Sequence, residues 1–525
     1  MLQPNSNRIS PVLALLYKKL LVTSITTGLL FTAVVSYAQL FTSKNYVTIA
    51  ATDKPADIVS KAARVTPSER QLRWQQLELT AFLHFGMNTY TNREWGDGKE
   101  NPKDFNPTEL DARQWVRVCK EAGIKQVIVT CKHHDGFCLW PSKYTEHSVK
   151  SSPWKDGKGD VVKEVADACR EYKMGFGVYL SPWDRNSPIY GDNDKYNDYF
   201  VNQLTELLSN YGKVDEVWFD GANGEGPNGK KQAYDFNRWY KLIRKLQPGA
   251  MIAVMGPDVR WVGTESGNGR TTEWSVVPID AQVQENIAAG SQKDVGFAPT
   301  NMMDNDLGSR EKINKAKSLV WYPAETDVSI RPGWFHHPAE DTRVKTPQRL
   351  LDIYYSSVGR NSLLLLNIPP DKRGLITDYD TKALKEWRAL LDETFAVNFL
   401  KGAAVKTSNG KGPKGLTDGN YKTYWTTNGK DTSAVIEFTL KAPQTIDLLA
   451  LQENITVGQR VEKFVVEYKD GEEWKKITDG TTIGYKRLIK FAPVTVSVVR
   501  LRIESSRLNP TISEIGLYKQ AAVAK

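Results

Sequence analysis

The 525 residues predict two folds in series: an α/β domain of (β/α)8-like TIM-barrel type over residues 39–396, and an antiparallel β-sandwich over 397–525. Three observations carry this. Eight short apolar runs alternate with helical patterns between residues 81 and 368, as a parallel barrel requires. After residue 397 the hydrophobic period changes to two, in residues 435–440, 464–468 and 498–504, the pattern of strands with one wet face. Polar residues collect where the apolar runs end, and that end of a parallel barrel is where sites are built.

Residues 1–38 stand apart from both folds. Arg8, Lys18 and Lys19 precede an apolar run over 20–35, and Ser36-Tyr37-Ala38 gives a small-x-small cleavage pattern before Gln39. This predicts a signal peptide and export to a periplasm or the outside, with no membrane attachment after cleavage. Thr and Ser residues interrupt the run, which weakens the alternative of a retained anchor. No Cys follows it to take a lipid.

The net charge of +9 is unevenly spread. Three basic residues lie in 1–38 and an excess of seven in 398–525, which leaves the middle near neutral. That argues against a nucleic-acid channel in the barrel. The basic C-terminal part reads as a solvated face. Cys119, Cys131, Cys138 and Cys169 all lie in the barrel region with no Cys-x-x-Cys, so neither a zinc ribbon nor a dense disulfide framework is indicated. The 15 Trp and 22 Tyr suit a protein that packs aromatic faces against sugar rings, although large cores use them too.

In chain order, Thr66-Pro67-Ser68-Glu69-Arg70 opens a helix before Trp74, with Pro just inside a Thr cap. The apolar runs span 81–86, 126–130, 175–180, 214–219, 251–255, 272–277, 319–323 and 362–368. Helical stretches lie near 110–122, 160–173, 193–211, 230–246, 310–318 and 346–358, and a helix near 381–395 closes the domain. The segment 256–345 is irregular and loop-rich, and long loops on a barrel's catalytic face commonly carry function. In the sandwich, Asp470-Gly471 and Asp479-Gly480 mark turns.

The run ends hold the candidate chemistry. The first gives Leu83-His84-Phe85-Gly86 and the second His133-His134-Asp135-Gly136-Phe137. The third gives Tyr179 and then Ser181-Pro182-Trp183-Asp184; the fourth, Trp218-Phe219-Asp220-Gly221. A carboxylate at the end of an apolar strand is costly unless it is solvated, paired or used. His133, His134 and Asp135 could ligate a metal, but adjacent strand residues point to opposite faces unless the backbone bends, and no H-E-x-x-H occurs. The other chemistry is sugar recognition, with His and Tyr on hydroxyls, Trp on a ring face and two carboxylates cleaving a glycosidic bond.

Together with Arg331-Pro332-Gly333-Trp334, these motifs resemble glycoside hydrolase family 29, the retaining α-L-fucosidases, over about residues 60–395. The resemblance implies a (β/α)8-like barrel with a C-terminal sandwich and Asp220 as nucleophile. It implies a fucose pocket of His84, Glu94, Trp95, His133, His134, Tyr179, Trp218 and Trp334. It implies no required cofactor and no catalytic metal, and fucosylated glycans as partners. Gly256-Pro257-Asp258-Val259-Arg260-Trp261-Val262-Gly263-Thr264-Glu265 looks like the subgroup that cleaves α-1,3/4-linked fucose, in which the Glu after the R-W-x-G run is the acid/base. That implies Glu265, with Glu273 the other candidate. A broad-specificity, α-1,2-preferring fucosidase and an inactive glycan-binding protein of the same fold are the alternatives.

In the C-terminal part, Leu416-Thr417-Asp418-Gly419-Asn420, Tyr424-Trp425-Thr426 and Val499-Arg500-Leu501-Arg502-Ile503 look like a discoidin or coagulation-factor C-type module. Many of these bind sugars and some hold a calcium ion. The resemblance therefore allows a structural calcium here, and either a carbohydrate-binding or a packing role.

Overall fold

A computed structural model describes residues 44–279 and 304–522. The signal peptide expected over 1–38 lies outside the described residues.

The barrel strands are β1 Leu79–Leu83, β2 Gln126–Lys132, β3 Gly175–Leu180, β4 Glu216–Phe219, β5 Met251–Val254, β6 Arg260–Trp261, β7 Ala324–Ser329 and β8 Ser362–Asn367. They form one all-parallel sheet in the order β5-β4-β3-β2-β1-β8-β7-β6. The barrel is nearly closed, and the seam lies between β5 and β6. Asp258 stitches that seam: its carboxylate accepts the Ile252 N–H at 2.9 Å and pairs with Arg70 and Arg244.

Two of the eight predicted runs are not barrel strands. Val276–Pro278 and Ser318–Trp321, from the runs at 272–277 and 319–323, pair antiparallel with each other, and Tyr46–Thr48 extends this small separate sheet. β6 and β7 take their places in the barrel. The helix expected behind a Thr66 cap starts two residues later, at Glu69–Gln75, because Ser68 and Gln71 form a reciprocal capping box. That helix drives Trp74 into the N-terminal end of the barrel, where its indole N–H donates to Glu216 at 3.0 Å.

Four successive barrel helices open on an aspartate whose side chain accepts the N–H three residues on. They are Ala112–Glu121 behind Asp111, Val161–Tyr172 behind Asp160, Asn193–Asn210 behind Asp192 and Phe236–Leu246 behind Asp235. Each cap satisfies an orphan donor and places a negative charge at the positive helix end. The strands are buried on both faces, as a helix-covered parallel sheet demands. Phe82, Ile128, Tyr179, Trp218, Met251 and Leu365 fill the interior with Trp74. All four cysteines are buried free thiols.

Helix Asp378–Phe395 ends the barrel part. The sandwich follows, built around two 20-residue strands, Ala434–Glu453 and Arg487–Ser506, which pair antiparallel and bend through register shifts. Trp425, Ile436, Phe438, Phe464, Leu501 and Leu517 are in its core. It docks on the barrel part through buried polar contacts. Gln459 accepts the Ser275 N–H at 2.7 Å and donates to the Glu273 carbonyl at 2.9 Å; the Glu273 N–H donates to Thr482 at 3.0 Å. Among the described residues no helix is long and apolar enough to cross a membrane.

Candidate active site

The polar residues at the strand ends converge on one mouth. Asp220 follows β4 directly. Its Oδ1 accepts the Ala222 N–H at 2.6 Å, its Oδ2 accepts the Tyr179 hydroxyl at 3.1 Å, and the His134 Nε2 lies 3.8 Å from Oδ2. The side chain remains 27% exposed, so the carboxylate is held in place yet reachable.

The three histidines are buried, which disfavours their charged forms. Burial pushes His84 down to about 3 and holds His133 well below, and His134 below, the usual imidazole range. Their partners fix the tautomers. The Asn367 amide donates to Ser329 and to the Trp334 carbonyl, so its oxygen accepts from the His84 Nδ1 at 2.8 Å. The Ser181 hydroxyl donates to the Trp183 carbonyl, so it accepts from the His134 Nδ1 at 2.8 Å. The Asn88 amide donates to the His133 Nδ1 at 3.3 Å. His84 and His134 therefore carry an acceptor at Nε2, and His133 a donor. Such a set suits hydroxyls of differing orientation.

The backbone leaves the strand just before His133 and His134, the exception to opposite faces that the sequence allowed. β2 ends at Lys132, so the alternation of a strand no longer applies, and the two rings lie 4.1 Å apart. Among the described residues no group of three or more His, Cys, Asp or Glu side chains comes together to hold a metal.

The aromatic residues take different stations. Trp95 is 57% exposed and meets His134 and Trp183 edge-on at the rim. Trp334 lies against His84, with ring centroids 5.2 Å apart, and its indole N–H donates to Glu265 at 3.2 Å. Trp218 sits deeper, edge-on to Phe82 and Tyr179, with its N–H donating to Glu325 inside the barrel at 2.8 Å. The Glu94 carboxylate accepts the Trp334 and Phe335 N–H groups and faces the His337 Nε2 at 2.6 Å. It braces the loop that carries Trp334.

Glu265 and Glu273 differ sharply. Glu273 is buried, with one oxygen on Arg260 and the other on Arg270. Glu265 is exposed, on a loop that leaves and rejoins the edge of β7. The Val262 N–H donates to the Glu325 carbonyl, and the Gly267 N–H to the Asp327 carbonyl. A regular parallel ladder would bring residue 264 to Asp327, so the chain bulges by three extra residues. Gly263 and Gly267, at φ +102° and +76°, make its two bends.

The model of the alpha-L-fucosidase family matches residues 57–393, and that of the F5/8 type C domain matches 401–516. The chain belongs to the alpha-L-fucosidase family. It is 43% identical over 464 residues to alpha-L-fucosidase 1 of Arabidopsis thaliana, covering 86% of this chain and 87% of that protein. A Ruminococcus gnavus family 29 fucosidase solved in complex with fucose is 34% identical, with a TM-score of 0.76 over 87% of this chain and 95% of that one. A Bacteroides ovatus crystal structure assigned as an alpha-L-fucosidase is 52% identical, with a TM-score of 0.81 over 92% of this chain and 78% of that one.

This fucosidase, a glycoside hydrolase, uses its R-P-G-W motif structurally at Arg331. The guanidinium is fully buried and bonded to Asp380, Asp341 and Thr377, tying the Trp334 loop to helix Asp378–Phe395. The sequence reading placed Ser181 at a strand end without giving it a role, and missed Asn88, Asn367, Glu325 and Asp327. Asn367 had a signal, a polar residue closing the apolar run Leu363-Leu364-Leu365-Leu366. Glu325 and Asp327 had none, since β7 does not read as an apolar strand.

Proposed function

We propose that this fucosidase hydrolyses terminal α-1,3/4-linked L-fucose with retention of configuration, with Asp220 as nucleophile and Glu265 as acid/base. Asp220 attacks the anomeric carbon while Glu265 gives its proton to the leaving oxygen; Glu265 then takes a proton from the water that releases fucose from Asp220. The observation that carries this reading is the contrast between the two glutamates: Glu265 hangs at the mouth on the Trp334 indole, whereas both oxygens of Glu273 are committed to arginines. His84, His133, His134 and Tyr179 would take the sugar hydroxyls, with Trp334 and Trp95 on its apolar edges. Glu94 and Trp218 would serve through Trp334 and the pocket floor.

Asp220→Gly is expected to lower turnover of an aryl α-L-fucoside by about 10⁴-fold, and azide to restore part of it. Undiminished turnover would put the nucleophile elsewhere. For linkage, binding energy from a neighbouring branch sugar can be used at the reacting centre. kcat/KM should therefore be higher on a Lewis a or Lewis x trisaccharide than on 2′-fucosyllactose, and the reverse order would refute the α-1,3/4 reading.

Two further readings concern the ends of the chain. Residues 1–38 act as a cleaved export signal, so mass spectrometry of the exported protein should find Gln39 at or near its N-terminus. In the sandwich, Asp418 accepts the Thr423 hydroxyl at 2.7 Å and Glu514 accepts the Gly419 N–H at 3.1 Å. Such oxygen donors suit calcium. Chelation should then lower the Tm of the wild type but not that of Asp418→Ala.

A further inference from the structure

We infer that Asp327 is a positioning residue for catalysis, which holds the loop bearing Glu265 at the sugar pocket. The inference rests on the reading of Glu265 given above.

Asp327 is 4% exposed on β7 and grips the loop at both ends. Its Oδ1 accepts the Trp261 indole N–H at 2.8 Å, before the bulge; its backbone carbonyl accepts the Gly267 N–H at 3.2 Å, after it. One residue therefore touches both the entry and the exit of an excursion that carries Glu265, with Glu325 and Ser356 as further ties at its two ends. Within the excursion, Thr264 and Ser266 bond to each other at 2.8 Å, and Asn268 donates to the Ser266 hydroxyl at 3.1 Å. The second support of Glu265 is Trp334, which comes from the loop after β7 itself.

Holding an indole N–H does not require a charge, because an asparagine oxygen would accept it equally well. Burial pushes the Asp327 carboxyl up to about 7, and the charges of Glu265 and Asp220 act in the same direction. What the position needs is an acceptor that holds the loop, so that the general acid stays within reach of the leaving oxygen.

The test compares kcat/KM on two fucosides in the full-length enzyme. One is 2,4-dinitrophenyl α-L-fucoside, whose leaving group departs without protonation; the other is a fucosyl oligosaccharide, whose leaving alcohol needs the proton. Asp327→Ala should lose about 10²-fold on the oligosaccharide and much less on the aryl fucoside. Asp327→Asn keeps the indole acceptor and removes the charge. It should retain most of the activity on the oligosaccharide, and Trp261→Phe, which removes the donor instead, carries the test if the alanine variant does not fold. Equal losses on the two substrates, or a loss in Asp327→Asn as large as that in Asp327→Ala, overturn the inference. Glu265→Ala is run beside them: if it shows no dependence on the leaving group, the reading of Glu265 fails on its own account. If it does and Asp327→Ala does not, it is the role of Asp327 that fails.

Discussion

The indole N–H of Trp334 donates to a Glu265 carboxylate oxygen at 3.2 Å, joining the loop after β7 to the loop after β6 across the mouth. Trp334 is itself braced by Glu94, which accepts its backbone N–H at 2.8 Å. A residue that looks like a sugar platform thus also holds a carboxylate. Trp334→Phe keeps an aromatic face against His84 and removes the donor. A hydrogen bond to a charged group is worth about 1.5–3 kcal/mol, and this one is partly exposed, so kcat/KM should fall by about tenfold. An unchanged kcat/KM would mean that the bond contributes nothing to turnover.

Gly267 closes the loop that carries Glu265. Its φ of +76° lies in the left-handed region, and an added Cβ would come within 2.9 Å of Ile353. Gly267→Ala should destabilise the protein by about 1–2 kcal/mol and reduce kcat/KM by more than the lost stability explains, since Glu265 would be displaced. Thermal melts and kinetics at a temperature where the variant is fully folded separate the two effects. Full activity in a destabilised variant would show that the loop tolerates displacement.

Glu216 lies inside the barrel, accepting N–H groups from Trp74 at 3.0 Å and Gln126 at 2.6 Å. Burial pushes its carboxyl up to about 8 from 4.5. The folded state then holds a proton that the unfolded chain has released, so stability falls as pH rises from about 4.5 to about 8. Glu216→Gln removes this titration. The Tm difference, variant minus wild type, should grow by a few degrees (about 2–4 °C) between pH 5 and pH 8, and a difference that stays flat would show that Glu216 does not hold the proton.

The sequence showed much of this, and where it failed the reason is physical. Six of the eight apolar runs are barrel strands, and the ends of β1 to β4 carry His84, His133, His134, Tyr179 and Asp220 as the pattern implies. The runs at 272–277 and 319–323 have the composition of strands and are strands, but of the small outer sheet. Composition reports pleated burial, not which sheet provides it. The true β7 reads Ala-Glu-Thr-Asp-Val-Ser. Its inward positions are Glu325, on Trp218, and Asp327, on Trp261, so chemistry occupies the places where the apolar signal would be. β6 is two residues long, too short for any periodicity. Glu265 stands on resemblance, because an exposed loop glutamate has no pattern of its own.

The docking of the sandwich bears on how such a protein can be cut and recombined. Glu273 is held by Arg260 and Arg270 on one side, and its backbone is bonded to Thr482 and Gln459 on the other. Asn361, next to β8, accepts the Tyr485 N–H at 2.8 Å. A gene fragment ending at residue 396 would encode a barrel whose 271–275 backbone groups had lost these partners, on the segment that runs on from the Glu265 loop. Exchanging the last domain for that of a relative would succeed only if the incoming piece brought its own counterparts of Gln459, Thr482 and Tyr485. The boundary that is clean along the chain is not a clean boundary in heredity.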